Sequence, residues 1–241
     1  MMLERGFTLV TGASQGIGRA ICDALSKRGQ AVLGIARRPD PSFPGQLFLA
    51  DLTDRKERRD VLESIAKQYD VLSLVNNAGF NEMQSLGEIS LDAVDKIIEL
   101  NVHCAIDVTQ TVLPAMKSAG VGRIVNISSR SLLARPGGSV YSIAKAGLVG
   151  MTRSWALELA DQGITVNCVA PGPVATSMFA RNNPPGLART TALLKAVPMG
   201  RPGEPHEIAE AVLYFLSPVA GFTTGQTLFV CGGSSVNQLE F

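Results

Sequence analysis

The chain has few of the residues that mark metal centres, disulfide scaffolds or nucleic-acid surfaces. It holds two histidines, His103 and His206, and neither belongs to an HExxH-like pair, so a histidine-ligated metal is not expected. The four cysteines, Cys22, Cys104, Cys168 and Cys231, are scattered without a CxxC spacing. That excludes a disulfide framework and a zinc site as expectations and points to a reducing compartment. An excess of one charge is also missing. The 22 Lys and Arg against 21 Asp and Glu leave a net charge of +1, which gives no footprint for nucleic acid or an anionic membrane. The densest basic cluster, Arg55, Lys56, Arg58 and Arg59, is interleaved with Asp54, Glu57 and Asp60, and its expected role is a solvated helix face. No apolar run approaches the roughly 18 residues of a membrane span, and the first residues lack a signal-peptide layout. The expectation is a soluble, cytoplasmic protein without nucleic-acid or membrane partners.

What is present is a large apolar fraction, 46% of 241 residues, enough for a sizeable core. Short β-rich runs at 7–11, 31–36, 47–50, 71–76, 123–128, 164–170 and 227–230 alternate with longer stretches of helical periodicity at 17–28, 54–68, 91–117, 142–161 and 205–216. Several of the runs are apolar without alternation, as in strands covered on both faces. Alternating strands and helices imply βαβ units, right-handed crossovers and a parallel sheet with helices on both sides. The expected fold is a single doubly wound α/β domain over 1–241. One segment breaks the rhythm: 177–203, with Asn182-Asn183-Pro184-Pro185-Gly186 as an expected turn and Pro198 and Pro202 further on. An irregular insertion of that length is expected to be a mobile lid, with Met178, Phe179, Leu187, Leu193, Leu194 and Val197 as its apolar surface.

The first strand runs into Thr11-Gly12-Ala13-Ser14-Gln15-Gly16-Ile17-Gly18 and the first helix starts there. Glycines let the backbone turn sharply and approach a pyrophosphate, and a helix N-terminus offers free N–H groups to its charge. Tyr141 and Lys145 stand four apart and so share a helix face. A lysine ammonium beside a phenol is expected to lower its pKa and make it a usable acid and base.

The GxxxGxG spacing, Asn76-Asn77-Ala78-Gly79, Asn101, Ser128-Ser129, Tyr141-Ser142-Ile143-Ala144-Lys145 and Pro171-Gly172 occur in order. Together they resemble the short-chain dehydrogenase/reductase family across residues 6–235. The resemblance implies a seven-stranded sheet in the order 3-2-1-4-5-6-7, NAD(P)(H) across the carboxyl ends of the strands, and a dimer or tetramer. It implies Tyr141 as proton donor to a carbonyl and Lys145 as the group that binds the nicotinamide ribose and depresses the Tyr141 pKa. A serine would bond the substrate oxygen, and Asn101 would hold a relay water.

Strand alignment gives Ser129 as that serine, whereas the family's usual count back from Tyr141 gives Ser128. Ser129 is preferred, because loops lose residues more readily than strands shift register. The cofactor contacts implied by the resemblance are Gly12, Ser14, Gln15, Gly16, Ile17 and Gly18 around the phosphates, and Asp51 and Leu52 beside the adenine. Asn77, Ala78 and Gly79 would form a wall, with Tyr141, Lys145, Pro171, Gly172, Val174 and Thr176 near the nicotinamide. After the second strand stand Arg37 and Arg38, with Asp40 displaced beyond Pro39. Guanidinium forks suit a 2′-phosphate, so NADP is expected over NAD, although Gln15 adds no second cation.

The chain departs from the family pattern at Cys231-Gly232-Gly233, where aspartate often precedes the glycines. The implied activity is hydride transfer between NADP(H) and a carbonyl or secondary alcohol, with 3-oxoacyl-[acyl-carrier-protein] reductases as the subfamily of closest resemblance. A nucleotide-binding regulatory protein with little turnover is the competing class. Epimerase or dehydratase chemistry stands behind both, because the chain has little room for an added substrate domain.

Overall fold

The computed structural model describes residues 6–184 and 186–236; the expected 182–186 turn includes Pro185, which lies outside the described residues. Seven parallel strands form one sheet in the order β3-β2-β1-β4-β5-β6-β7. They are β1 Phe7–Thr11, β2 Val32–Ala36, β3 Gln46–Leu49, β4 Val71–Asn76, β5 Gly122–Ile127, β6 Ile164–Pro171 and β7 Thr227–Val230. The central strands are buried along their whole length, which is why their sequences read as continuous apolar runs. Alternate residues still divide between the two faces. Leu9, Leu74, Ile124 and Val166 pack on one side with Val108, Val112 and Met116. Val10, Val75, Val125 and Val169 pack on the other with Ile21, Leu25, Ile208 and Val212.

The helices are α1 Gly16–Lys27, α2 Arg55–Gln68, α3 Leu91–Ile98, α4 Cys104–Ala119, α5 Ser139–Leu159, α6 Ser177–Asn182, α7 Ala188–Lys195 and α8 Pro205–Leu216. Their ends follow local chemistry. Asp54 caps α2 by accepting from the N–H groups of Lys56 and Glu57 at 2.8 and 3.0 Å. Gly29 follows α1 at φ +73°, the left-handed conformation in which glycine costs least.

Two expectations are corrected. The helical pattern at 91–117 is not one continuous helix: a π-turn, Glu99–His103, separates α3 from α4. One extra residue in a single turn carries no mark in residue type, so periodicity alone does not reveal it. The 177–203 segment is not irregular throughout, since α6 and α7 lie within it. Its base is closed by a short parallel bridge, with Gly203 N–H donating to Pro173 O at 2.9 Å and Ala175 N–H to Gly203 O at 2.8 Å.

Candidate active site

The carboxyl ends of β1 and β4 meet where the strand order reverses, the position at which open α/β sheets form a crevice. Asn77 stitches the two together there, donating from Nδ2 to Thr11 O at 2.9 Å and to Gly12 O at 3.2 Å. Thr11 Oγ1 accepts from the backbone N–H groups of Asn77 and Ala78. A Cβ on Gly18 would stand 2.3 Å from Gly12 O, so only glycine permits the turn to close this tightly. Gly12 and Gly16 have φ of +66° and +56°. The N-terminus of α1 has no side-chain cap and no acidic residue in its first turn, which leaves its N–H groups and positive dipole end facing the crevice. A glycine cradle at an uncapped helix N-terminus fits a dinucleotide pyrophosphate. Gln15 accepts a hydrogen bond from Ser177 Oγ at 3.3 Å, and Gly16 faces Thr176, so the cradle adjoins the start of α6.

The expected adenosine side lies at the ends of β2 and β3. Arg37 and Arg38 are exposed, and among the described residues no carboxylate lies within ion-pair distance of either. Asp40 is held away from them by Arg19, which also bonds Asp23 at 2.8 Å and Ser42 O at 2.9 Å. Asp51 accepts from Thr53 N–H and Oγ1, and Leu52 is buried beneath it.

The reactive side chains converge past the ends of β4 and β5, over a buried amide relay. Asn76 Nδ2 donates to Asn126 Oδ1 at 2.9 Å, and Asn126 Nδ2 to Thr152 Oγ1 at 2.9 Å. Ser129 lies beside the Tyr141 phenol, where its hydroxyl works to lower the phenol's pKa. Ser128 faces the other way and donates to Lys145 O at 2.7 Å, so of the two serines Ser129 is the one beside Tyr141. Lys145 is 3% exposed, donates to Ile127 O at 2.8 Å and places Nζ 5.5 Å from the centre of the Tyr141 ring.

Asn101 lies within the π-turn. Its Nδ2 donates to Ile97 O at 2.8 Å and Phe80 O at 2.9 Å, while its buried Oδ1 has no hydrogen-bond partner. That oxygen and Lys145 Nζ approach Gly79 from the same side, at 2.8 and 3.3 Å from where a Cβ would stand. An orphaned acceptor and an ammonium beside one glycine form a polar niche of the kind a proton relay requires.

The expected lowering of the phenol by Lys145 is not seen. Burial pushes Tyr141 up to about 12, opposed by the neighbouring Ser129 hydroxyl and the charge of Arg135. The ammonium sits over the ring and bonds a backbone carbonyl. Burial pushes Lys145 itself down to about 8.

Sequence reasoning missed two arginines. Arg58, expected on a solvated face, is 2% exposed. Its spacing to the buried Leu62 and Ile65, four and seven residues on, was the available signal. Arg135 donates to Asn183 Oδ1 at 3.2 Å and so links the loop before α5 to the 177–203 segment. No local pattern marked it, because the contact spans 48 residues.

The fold and this crevice define a dinucleotide-dependent oxidoreductase, and comparison with known proteins places the chain more closely. The family model described as enoyl-(acyl carrier protein) reductase matches residues 12–235. The 3-oxoacyl-[acyl-carrier-protein] reductase FabG of Thermotoga maritima is 35% identical, over 97% of this chain and 99% of its own length. The reductase of the same name from Vibrio harveyi is 38% identical over 97% and 98%. Among solved structures, a putative NAD(P)-dependent gluconate 5-dehydrogenase from Beutenbergia cavernae superposes with a TM-score of 0.89. It is 31% identical over 96% of this chain and 97% of that one, and has NADP bound. The aldohexose dehydrogenase of Thermoplasma acidophilum gives a TM-score of 0.91 at 28% identity, over 100% and 97%. The chain belongs to the short-chain dehydrogenase/reductase family, the NAD(P)-dependent oxidoreductases.

Proposed function

We propose that this enzyme uses NADP(H) to interconvert a carbonyl and a secondary alcohol, with 3-oxoacyl thioesters as the leading substrate class. The observation that carries the reading is the convergence of Ser129, Tyr141 and Lys145, one hydroxyl beside the phenol and one buried ammonium over its ring. When bound, the nicotinamide exchanges a hydride with the substrate carbon. Tyr141 gives its phenolic proton to the carbonyl oxygen in reduction and takes it back in oxidation. Ser129 donates a hydrogen bond to the same oxygen and holds the phenol in place. Lys145 binds the nicotinamide ribose and, lying over the ring, helps fix the place of Tyr141. Asn101 Oδ1 accepts from a water that carries protons to and from Lys145.

Gly12, Ser14, Gln15, Gly16, Ile17 and Gly18 hold the pyrophosphate, Arg37 and Arg38 the 2′-phosphate, and Asp51 and Leu52 the adenine. Asn77, Ala78, Gly79, Pro171, Gly172, Val174 and Thr176 line the nicotinamide half. Residues 177–203 close over the substrate as a lid hinged at the Val174–Gly203 bridge, which supports that motion by fixing both ends of the segment. The buried free thiols of Cys22, Cys104 and Cys168 support a reducing cytoplasm. The exposed Phe222, Val219 and Tyr214 support a homo-oligomer. Among the described residues no helix is long and apolar enough to cross a membrane.

The names of the relatives set two substrate classes against each other, acyl thioesters and sugars or their acids. A panel of 3-oxoacyl thioesters, sugar acids and simple ketones, followed by nicotinamide absorbance with NADPH and with NADH, separates them. Turnover on no member, with cofactor bound, would favour the regulatory reading instead.

A further inference from the structure

Arg58 lies in the second turn of α2, within the side of that helix turned to the core. Its guanidinium is fully engaged. Nη1 donates to Leu52 O at 2.6 Å, Nη2 to Glu99 Oε1 at 2.8 Å, and Nε to Asp107 Oδ2 at 2.8 Å. Glu99 is the first residue of the π-turn, and Asp107 lies in the first turn of α4 just beyond it. One buried cation therefore grips both ends of the wide turn, and Asn101 lies between its jaws. Arg55 and His103 add bonds to Glu99 at 2.7 and 2.8 Å from the outer side.

A π-turn is a local excess of one residue, recorded here by Cys104 N–H donating to Glu99 O, and it survives only where surrounding structure favours it over continuous α-helix. Reversion to α-helix would turn Asn101 by about 100° and carry Oδ1 away from Gly79 and Lys145. Burying the Arg58 charge is also a poor device for stability alone, because an apolar side chain of similar volume often serves as well.

The geometry points to Arg58 as a positioning residue that, through Glu99 and Asp107, holds the π-turn and so aims Asn101 at the proton path. This rests on the reading of Asn101, Tyr141 and Lys145 given above. Through Leu52 O the same guanidinium ties that turn to the adenine side of the crevice.

The test uses Arg58→Met, chosen because an apolar side chain of similar reach keeps the interior filled. Two readings are taken. In the cofactor-free protein, amide exchange at 99–104 rises at least roughly tenfold while β5 stays protected, since the turn opens locally and the core does not. In turnover with the best substrate of the panel, kcat falls roughly tenfold with KM little changed, the scale expected of a misplaced group. The loss is absent when Arg58→Met is added to Asn101→Ala, because both changes act on one path. If Arg58→Met does not fold, Asp107→Asn, which removes one jaw only, is read in the same way. Unchanged exchange at 99–104 in the folded variant overturns the proposal, as does a kcat loss that multiplies in full with that of Asn101→Ala. Wild-type turnover by Asn101→Ala overturns instead the catalytic reading beneath it, and the exchange experiment still decides whether Arg58 holds the turn.

Discussion

Ser128 and Ser129 are neighbours in the chain whose hydroxyls serve different structures. Ser128 donates to Lys145 O at 2.7 Å and anchors α5, whereas Ser129 lies beside the Tyr141 phenol and caps the short 3-10 turn that follows it. Ser129→Ala is expected to cut kcat by about 10²-fold or more, as for removal of a donor aimed at the reacting oxygen, with only the small loss of melting temperature that a lost turn cap brings. Ser128→Ala should act chiefly on stability, by roughly 1 kcal/mol, since it deletes a buried hydrogen bond that ties β5 to α5. Steady-state kinetics and thermal melts on both variants check the division; equal kcat losses would contradict it.

Much of this was legible in the sequence, for a physical reason. The strand runs of β1, β4 and β7 are short, apolar and bounded by turn residues, and the glycine spacing at 12, 16 and 18 reports a backbone that tolerates no Cβ. Those signals are local. The Arg58 cluster, the Arg135–Asn183 contact and the Glu99–His103 π-turn depend on residues brought together from distant elements or on one extra residue in a helix. Charge-rich spacing in α2 looked solvent-facing because its partners Glu99 and Asp107 come from a different helical unit.

Replacing Arg37 and Arg38 together with alanine is expected to weaken NADPH binding by roughly tenfold or more while NADH binding changes little, since only NADPH carries the 2′-phosphate. Fluorescence titration with both cofactors checks this. Equal losses would place the arginines outside the cofactor contact.

The pH dependence should follow the groups around Tyr141. Arg135 lowers the phenol by its charge, so Arg135→Gln should raise the Tyr141 pKa further. In the oxidative direction, which needs a base, the rising limb of the kcat/KM profile should move to higher pH. A limb that stays in place would mean Arg135 does not act on the phenol.

Acid stability should depend on Glu99. Burial works to raise its carboxyl, but hydrogen bonds from Arg55, His103 and Arg58 hold it down at about 2. Its stabilisation is therefore complete above the ordinary carboxylate range and lost as pH falls towards 2, where the unfolded chain binds the extra proton first. Glu207, held down at about 2 by Arg201, titrates in the same window but is less buried than Glu99 and contributes less. Glu99→Gln should flatten the melting temperature against pH across that window more than Glu207→Gln does.

The 177–203 segment should exchange amide hydrogens quickly in the free protein and gain protection once NADP and a substrate analogue are both bound, with the Gly203 and Ala175 amides at its base protected throughout. Strong protection of α6 and α7 in the free protein would show a rigid subdomain.

The decisive measurement is kcat for Tyr141→Phe, together with its NADPH affinity. Removing one oxygen deletes the proton donor and leaves the ring under Lys145, so turnover should fall by at least about 10²-fold while cofactor affinity stays nearly unchanged. A folded Tyr141→Phe enzyme that keeps roughly half of the wild-type kcat would contradict proton transfer by Tyr141, and with it the chemistry assigned to this crevice.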